Sequence, residues 1–428
     1  MGIVVKKFGG TSVGDVSRIK HVARLVAEHR ARNPGQGVVL VVSAMAGETN
    51  RLLALAKSCS PNPDPRELDM VAASGEQVSV ALTALALQEA GIPARSMLAM
   101  QAGIATDDHF TSAHIQAVDP APLQRLLAAG IVPVVAGFQG VTPSGELTTL
   151  GRGGSDITAV AIAAALKADA CYIYTDVDGV YSTDPRICRS ARFIPQLCHE
   201  EMLEMASLGA KVLHTRSVYF AMRYRVPLVV LSTFAPGRGT WIVDEDALME
   251  APVISGITHR QDEAKLSVLG LRQGVRGFQI LFSELGAAGI PVDMITQTGF
   301  SGGQTSVSFT VPDELSSQAL LLVQQLVPKL GADGASLDRD VAKVSVVGVG
   351  MRYHTDVAHR IFDALADASI EVQMIATSEI KVSLLVPRKY CEAAVRALHH
   401  AFLPLSVEGE ELPVFEAPRT GSLPGTAR

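Results

Sequence analysis

Aromatic residues make up only 5% of the 428 positions and charged residues 19%, against 48% hydrophobic ones, a balance that excludes a disordered or polyelectrolyte chain. Cysteine is scarce and odd in number. Cys59, Cys171, Cys188, Cys198 and Cys391 show no CxxC spacing, so neither a disulfide framework nor a zinc site is suggested, and no dedicated metal cage is visible. Basic residues form no stripe: 37 Lys and Arg stand against 43 Asp and Glu, a net charge of −6, and nucleic acid is not an expected partner. Apolar runs such as Ile157 to Leu166 fall below the ~18 residues of a membrane span, so no membrane partner is expected either. The N-terminus passes from Met1 and Gly2 directly into a strand-like Ile3 to Val5. It shows no export pattern, and Lys6 occupies the place of the Ser or Thr of a myristoylation motif. A cytoplasmic location is the expectation.

At ~150 residues per domain the length suggests roughly three units. As far as about residue 245, short Val/Ile-rich runs alternate with longer helical stretches, the pattern of crossover units on a mainly parallel sheet sandwiched by helices, an α/β fold. Ile3 to Val5, Val38 to Val42, Ile131 to Ala136, Ala170 to Tyr174 and Leu228 to Leu231 read as buried strands. Val16, Ile19, Ala23 and Val26 share one helix face. Pro143, Ser144 and Gly145 predict a hairpin beside the main sheet, and Pro236 to Gly239 a boundary.

Beyond that boundary the chain repeats itself. Ala264-Lys265-Leu266-Ser267-Val268 returns as Ala342-Lys343-Val344-Ser345-Val346. The apolar positions from Phe282 to Ile295 return from Phe362 to Ile375, and Val307-Ser308 with Val311-Pro312 return as Val382-Ser383 with Val386-Pro387. Conserved spacing inside each block, with insertions between blocks, describes two copies of one unit that differ in their loops. Each copy reads strand, helix, strand, strand, helix, a ferredoxin-like α+β arrangement whose terminal strands stay open. The expected division is 1–245, 250–335 and 336–412, with 413–428 as a disordered tail.

Three segments carry candidate chemistry. Lys7-Phe8-Gly9-Gly10-Thr11-Ser12 follows the first strand and leads into a helix from about Asp15. Paired glycines permit positive φ and close approach, so backbone N–H groups can surround an anion, and Lys7 adds a cation at the strand's carboxyl edge, where ligands collect. Neither a P-loop nor a GxGxxG dinucleotide spacing is present. Leu150-Gly151-Arg152-Gly153-Gly154-Ser155-Asp156 opens a second helix with a guanidinium suited to paired hydrogen bonds with a carboxylate; the plainer alternatives are a surface arginine and a capping Asp156. Tyr174 to Arg186 leaves a buried strand for a polar loop that offers hydroxyls, an aromatic ring and a guanidinium to a nucleotide, and it lacks the closing Glu of a calcium loop.

In this order the segments resemble the aspartate kinase family of the amino-acid kinase superfamily. KFGGTSVGD (7–15), SAMAGETN (43–50), ASGEQVS (73–79), AGFQG (136–140), TTLGRGGSD (148–156), TDVDGVYSTDPR (175–186) and GAKVLH (209–214) all resemble its motifs, and the repeat resembles its paired ACT domains. The resemblance implies transfer of the ATP γ-phosphoryl group to the β-carboxylate of L-aspartate, the entry to lysine, threonine, methionine and diaminopimelate. It places Lys7, Gly9 and Gly10 on the phosphates, and Thr175, Asp176, Tyr181, Asp184, Arg186 and Lys211 on the nucleotide. Arg152 is implied on the substrate's α-carboxylate and Glu76 near its ammonium group. Ser43, Thr49 and Ser155 are implied as further substrate contacts, with Asp156 orienting Lys7. Mg²⁺ is implied as a cofactor bound mainly by phosphate oxygens and water. A carboxylate acceptor is already ionised near neutral pH, so the chemistry needs positioning and positive charge rather than a general base.

In the ACT copies the resemblance implies lysine or threonine as effectors, with Gln297 a polar effector contact, and a homodimer or higher homo-oligomer built through these domains. Both effector loops depart from the pattern. Arg272 to Gly277 and Met351 to Asp356 lack its proline, Tyr353 is bulky where a small polar residue is common, and Thr298 stands where Asn is common. Weak or altered inhibition by lysine and threonine is therefore expected. Kinases acting on glutamate or acetylglutamate share the glycine-rich anion loops, and a sensor with a decayed kinase half is the non-enzymatic alternative. The intact Lys7, Glu76, Arg152 and Asp156 set opposes the latter. Met249 could start a separate regulatory chain.

Overall fold

The Val/Ile runs become the centre of an eight-stranded sheet. Its order is Gln196–Cys198, Thr240–Val243, Leu228–Ser232, Ala170–Thr175, Ile3–Phe8, Gly37–Val42, Val132–Ala136 and Ala94–Met97. The computed structural model describes residues 2–403 apart from 211, 236, 238, 248–252 and 300–302. Lys211, Met249 and the 413–428 tail of the sequence reading lie outside them. Thr240–Val243 runs antiparallel to Leu228–Ser232, while the strands from Leu228–Ser232 to Ala94–Met97 pair in parallel. Every residue of Gly37–Val42 is buried, as a central strand covered on both faces requires.

Alternation along the strands divides the core in two. Val4, Phe8, Val38, Leu40 and Val42 pack with Ile19, Val22 and Val26 of helix Val16–Arg32 and with Val80 and Leu87 of helix Pro65–Glu89. Val5, Val39 and Val41 pack on the other side with Val160 and Ile162 of the Ala-rich helix Gly154–Leu166. Asp15 caps the first of these helices, accepting from Arg18 N. Val16, expected on the buried face, is 55% exposed: at the first helical position its side chain leans past the end of the helix, and the packed stripe starts at Ile19. Against the expectation that apolar stretches stay short, helix Pro65–Glu89 has the length and composition of a membrane span. Half of its apolar window is buried inside the protein, and it carries Asp69 and Glu76 inward. Pro143 to Gly145 turn the predicted hairpin, joining Gln139–Val141 to Leu147–Thr149 in a separate four-stranded sheet.

Both C-terminal copies form four-stranded sheets backed by two helices. The repeat extends to single bonds: Ser267 and Ser308 hydroxyls meet at 2.7 Å across adjacent strands, and Ser345 and Ser383 at 2.8 Å. The copies also contact each other reciprocally. Lys265 Nζ donates to Gln373, and Lys343 Nζ, buried, donates to Asp293 and Glu263.

The terminal strands depart from a simple tandem. Glu263–Leu271 gains its outer neighbour from Gly334–Asp338 of the same copy. Val341–Val347, buried at all seven positions, takes Gly256–Arg260 instead, a strand that precedes the first copy. The expected unit 250–335 is thus not one sheet: its opening strand belongs with the second copy, because a fully buried strand requires a hydrogen-bonded neighbour on each side.

Candidate active site

Adjacent lysines at the end of strand Ile3–Phe8 are separated by the pleat. Lys6 turns into the core, donating to Tyr174 OH at 3.1 Å, and burial pulls its pKa down to about 7. Lys7 faces the other way and forms an ion pair with Asp156 at 2.7 Å, both side chains little exposed. Asp156 lies within the first turn of helix Gly154–Leu166, so the plainer capping role does not hold. The cap is Gly153, at φ 73°, which has no side chain to offer. The first-turn amides beside Asp156 therefore stay uncapped, the arrangement of an anion site. A Cβ on Gly153 would stand 2.4 Å from the His214 ring, and one on Gly137 2.7 Å from Ser155, so glycine is what lets these turns close on the helix start.

The first glycine pair works differently from its sequence reading. Neither Gly9 nor Gly10 has positive φ. Close approach is what position 10 needs: its carbonyl accepts from Ala46 N at 3.1 Å, and a Cβ there would lie 2.9 Å from Ala44 O. Gly9 N donates to Tyr174 O, tying the turn to the neighbouring strand. Helix Glu48–Cys59 likewise starts on a glycine in the left-handed region, Gly47, without a side-chain cap.

Glu76 is 3% exposed and accepts from Ala44 N at 3.0 Å, while its Oε2 has no partner among the described residues. Burial lifts its pKa to about 7, partly opposed by that N–H. Ser79 Oγ donates to Ser43 O at 2.7 Å, fastening the segment that carries Ser43 and Thr49 to the same helix. Ser155 is buried and Arg152 exposed. At the end of Ala170–Thr175, Thr175 Oγ1 donates to Asp176 at 3.1 Å, Tyr181 OH to Asp178 at 3.0 Å, and Arg186 pairs with Asp184 at 2.7 Å. Lys7, the two glycine turns and Thr175 thus gather at the carboxyl edge of neighbouring parallel strands, with Glu76 on the adjoining helix. Gln297 is not among them. It lies exposed on strand Ile295–Gln297 of the first copy, donating to Thr305 Oγ1 at 3.2 Å.

Several supporting residues escaped the sequence reading. Asp69, fully buried, accepts from Thr111 N at 2.9 Å, Thr149 N at 2.8 Å and Thr149 Oγ1 at 2.6 Å. Arg216 donates to Leu150 O and Ala113 O, each at 2.7 Å, so the segment before Arg152 is held from two sides. The available signal was an acidic residue on the same helix face as Ala72, Ala73 and Glu76. Asp69→Ala strands three donors at about 1 kcal/mol each and is expected to lower unfolding free energy by about 3 kcal/mol. Denaturant melts of parent and variant check this, and a loss below about 1 kcal/mol would contradict it.

Ser182, next to Tyr181, reaches the C-terminal half of the chain. Its hydroxyl meets His399 Nε2 at 2.9 Å, and its carbonyl accepts from Ile257 N at 2.7 Å. Buried Glu201 does the same from helix His199–Ser207, accepting from Ser255 Oγ and Val349 N.

A family model described as the amino acid kinase family matches residues 2–232, and one for the ACT domain matches 344–402. An aspartokinase from Pseudomonas aeruginosa is 53% identical over 406 residues, covering 94% of this chain and 98% of its own. The chain belongs to the aspartokinases of the amino acid kinase family. An aspartokinase from Geobacillus stearothermophilus is 46% identical over 402 residues, covering 94% of this chain and 97% of its own. Among solved structures, Escherichia coli aspartokinase III in complex with aspartate and ADP, in its R-state, superposes with a TM-score of 0.76 at 28% identity, over 93% of this chain and 99% of that one. The likeness runs through kinase sheet and ACT copies together.

Proposed function

We propose that this enzyme transfers the γ-phosphoryl group of ATP to the β-carboxylate of L-aspartate, giving 4-phospho-L-aspartate and ADP. The observation that carries the reading is the Lys7–Asp156 pair set against the uncapped start of helix Gly154–Leu166. Two anions must meet here, and a loose phosphoryl transition state spreads its charge over peripheral oxygens. Lys7 offsets that charge, Asp156 orients Lys7, and the Gly9–Gly10 turn lets the phosphates approach the backbone. Thr175, Asp176, Tyr181, Asp184 and Arg186 hold the nucleotide at the next strand end. Arg152 reads the α-carboxylate and Glu76 the ammonium, with Ser43, Thr49 and Ser155 as hydroxyl contacts, so a zwitterion is fixed with its side-chain carboxylate toward ATP. Mg²⁺ fits as a partner of phosphate oxygens and water: among the described residues the one cluster of three His or acidic side chains is Asp107, His109 and His114, on a loop outside this set. Bound to those phosphate oxygens, Mg²⁺ would neutralise phosphate charge.

Purified enzyme with MgATP is expected to release ADP only when L-aspartate is added, with hydroxylamine trapping the acyl phosphate. Turnover with glutamate or acetylglutamate in place of aspartate would overturn the reading.

The ACT copies support effector binding. A cavity of about 440 Å³ opens beside Met351, Arg352, His354 and Thr355 of the second copy, with Ser378 and Glu379 opposite. Arg352 is engaged there by Glu200 at 2.9 Å, Glu245 at 3.4 Å and Glu379 at 3.5 Å. An amino-acid effector must draw its carboxylate's partner away from three acidic groups, so lysine and threonine are expected to inhibit weakly. Titration of the purified enzyme with each checks this, and submillimolar inhibition would refute it. Exposed Ile295 and Ile375 on equivalent edge strands favour a homodimer through these domains, and five free cysteines suit the cytoplasm.

A further inference from the structure

The loop between strands Ile104–Thr106 and Ile115–Val118 gathers Asp107, His109 and His114, and one ligand atom from each lies within 4.8 Å of the others. The two oxygens of Asp107 divide their work. Oδ1 accepts the backbone amides of His109 at 3.3 Å and His114 at 2.9 Å, so the carboxylate is held by the loop itself. Oδ2 faces both imidazoles, 2.9 Å from His114 Nδ1 and 3.3 Å from His109 Nδ1. The rings stand edge to face, centroids 5.8 Å apart.

We propose that Asp107, His109 and His114 bind one Zn²⁺ ion. Zinc–ligand distances of ~2.0–2.1 Å in a tetrahedron put neighbouring ligand atoms about 3.3 Å apart, close to the 2.9 and 3.3 Å that separate Asp107 Oδ2 from the two Nδ1 atoms. Two imidazole nitrogens and one carboxylate oxygen suit Zn²⁺ and leave a fourth position for water. Carboxylate and rings already converge without the ion, so binding needs little loop rearrangement. The site is also braced from below. Thr111 N is held by Asp69, Ala113 N donates to Thr149 O at 2.9 Å, and Arg216 holds Ala113 O. An ion on this loop therefore stiffens the ground on which Leu150 to Arg152 rest.

The test uses full-length enzyme stripped with a chelator and then dialysed against Zn²⁺. The parent is expected to take up one equivalent, with a matching rise in melting temperature. His109→Ala and His114→Ala change side chains 69% and 61% exposed and should fold normally. Each is expected to weaken Zn²⁺ binding at least ~10-fold and to abolish the melting shift. Cys59→Ser, which removes the one exposed thiol among the described cysteines, is expected to change neither. No stoichiometric uptake by the parent, parent-like affinity in either histidine variant, or loss of binding in Cys59→Ser would overturn the site.

Discussion

Lys7→Ala is expected to lower kcat by at least ~10²-fold, the scale seen when one preorganised donor is taken from a developing charge. The loss should fall on kcat rather than on the KM for ATP, because the charge Lys7 meets is greatest in the transition state. Removing Lys7 does more than delete a cation. Asp156, 2.7 Å away, loses its cation, and on the proposed assignment its carboxylate then repels the incoming phosphates. The double variant Lys7→Ala/Asp156→Ala should therefore be less impaired than the product of the two single losses, a coupling that a double-mutant cycle in steady-state ADP release measures. A kcat within a few-fold of the parent for Lys7→Ala would remove the lysine from the chemistry.

Glu76→Gln is the second large effect, and its signature is a pH profile. Burial lifts the Glu76 pKa from 4.5 to about 7, so the folded protein holds this proton more tightly than the unfolded chain does. The sign follows from linkage: stability due to the protonated carboxyl is full below about 4.5, declines as pH rises, and is lost once pH passes about 7. Above that point the buried charge costs about 3 kcal/mol relative to a neutral group. Ligand-free Glu76→Gln should thus gain on the parent between pH about 4.5 and 7, and hold a constant lead above it. Substrate affinity moves the other way. Only ionised Glu76 can pair with the aspartate ammonium, so the parent's KM for aspartate should fall as pH rises through about 7. In the glutamine variant KM should stay high and flat, raised on the order of 10-fold or more. A parent KM unchanged from about pH 6 to 8 would detach Glu76 from the substrate.

How far sequence reasoning reached depended on the range of the interaction. The crossover strands, the helix start near Asp15 and the Pro143–Gly145 hairpin rest on neighbours a few residues apart, and spacing exposes such features. The repeat that carries the serines of the C-terminal copies was legible because the chain writes it twice; that the serines meet across strands was not. Nor was Asp69: its partners Thr111 and Thr149 lie 42 and 80 positions away, and its place on the face of Ala72, Ala73 and Glu76 hints at burial without telling what it holds. Gly256–Arg260 escaped for a related reason. Gly-Ile-Thr-His-Arg has no apolar alternation, and its strand character comes from the edge of Val341–Val347 waiting for it. At Gly10 the positive φ that the sequence allows is not used, and only the fold reveals that Ala44 O occupies the space a side chain would need.

The borrowed strand has a further consequence. Arg260 lies opposite Lys343 across the antiparallel pair, so the whole first copy enters and leaves at one end of a single ladder. It is a cassette spliced into a hairpin. Replacing it with a tight turn would leave the host sheet's strand order unchanged, with no re-threading. The seam would show at Lys343, whose carboxylate partners Glu263 and Asp293 both travel with the guest, so an exchangeable cassette must bring its own counter-charge for that one buried amine.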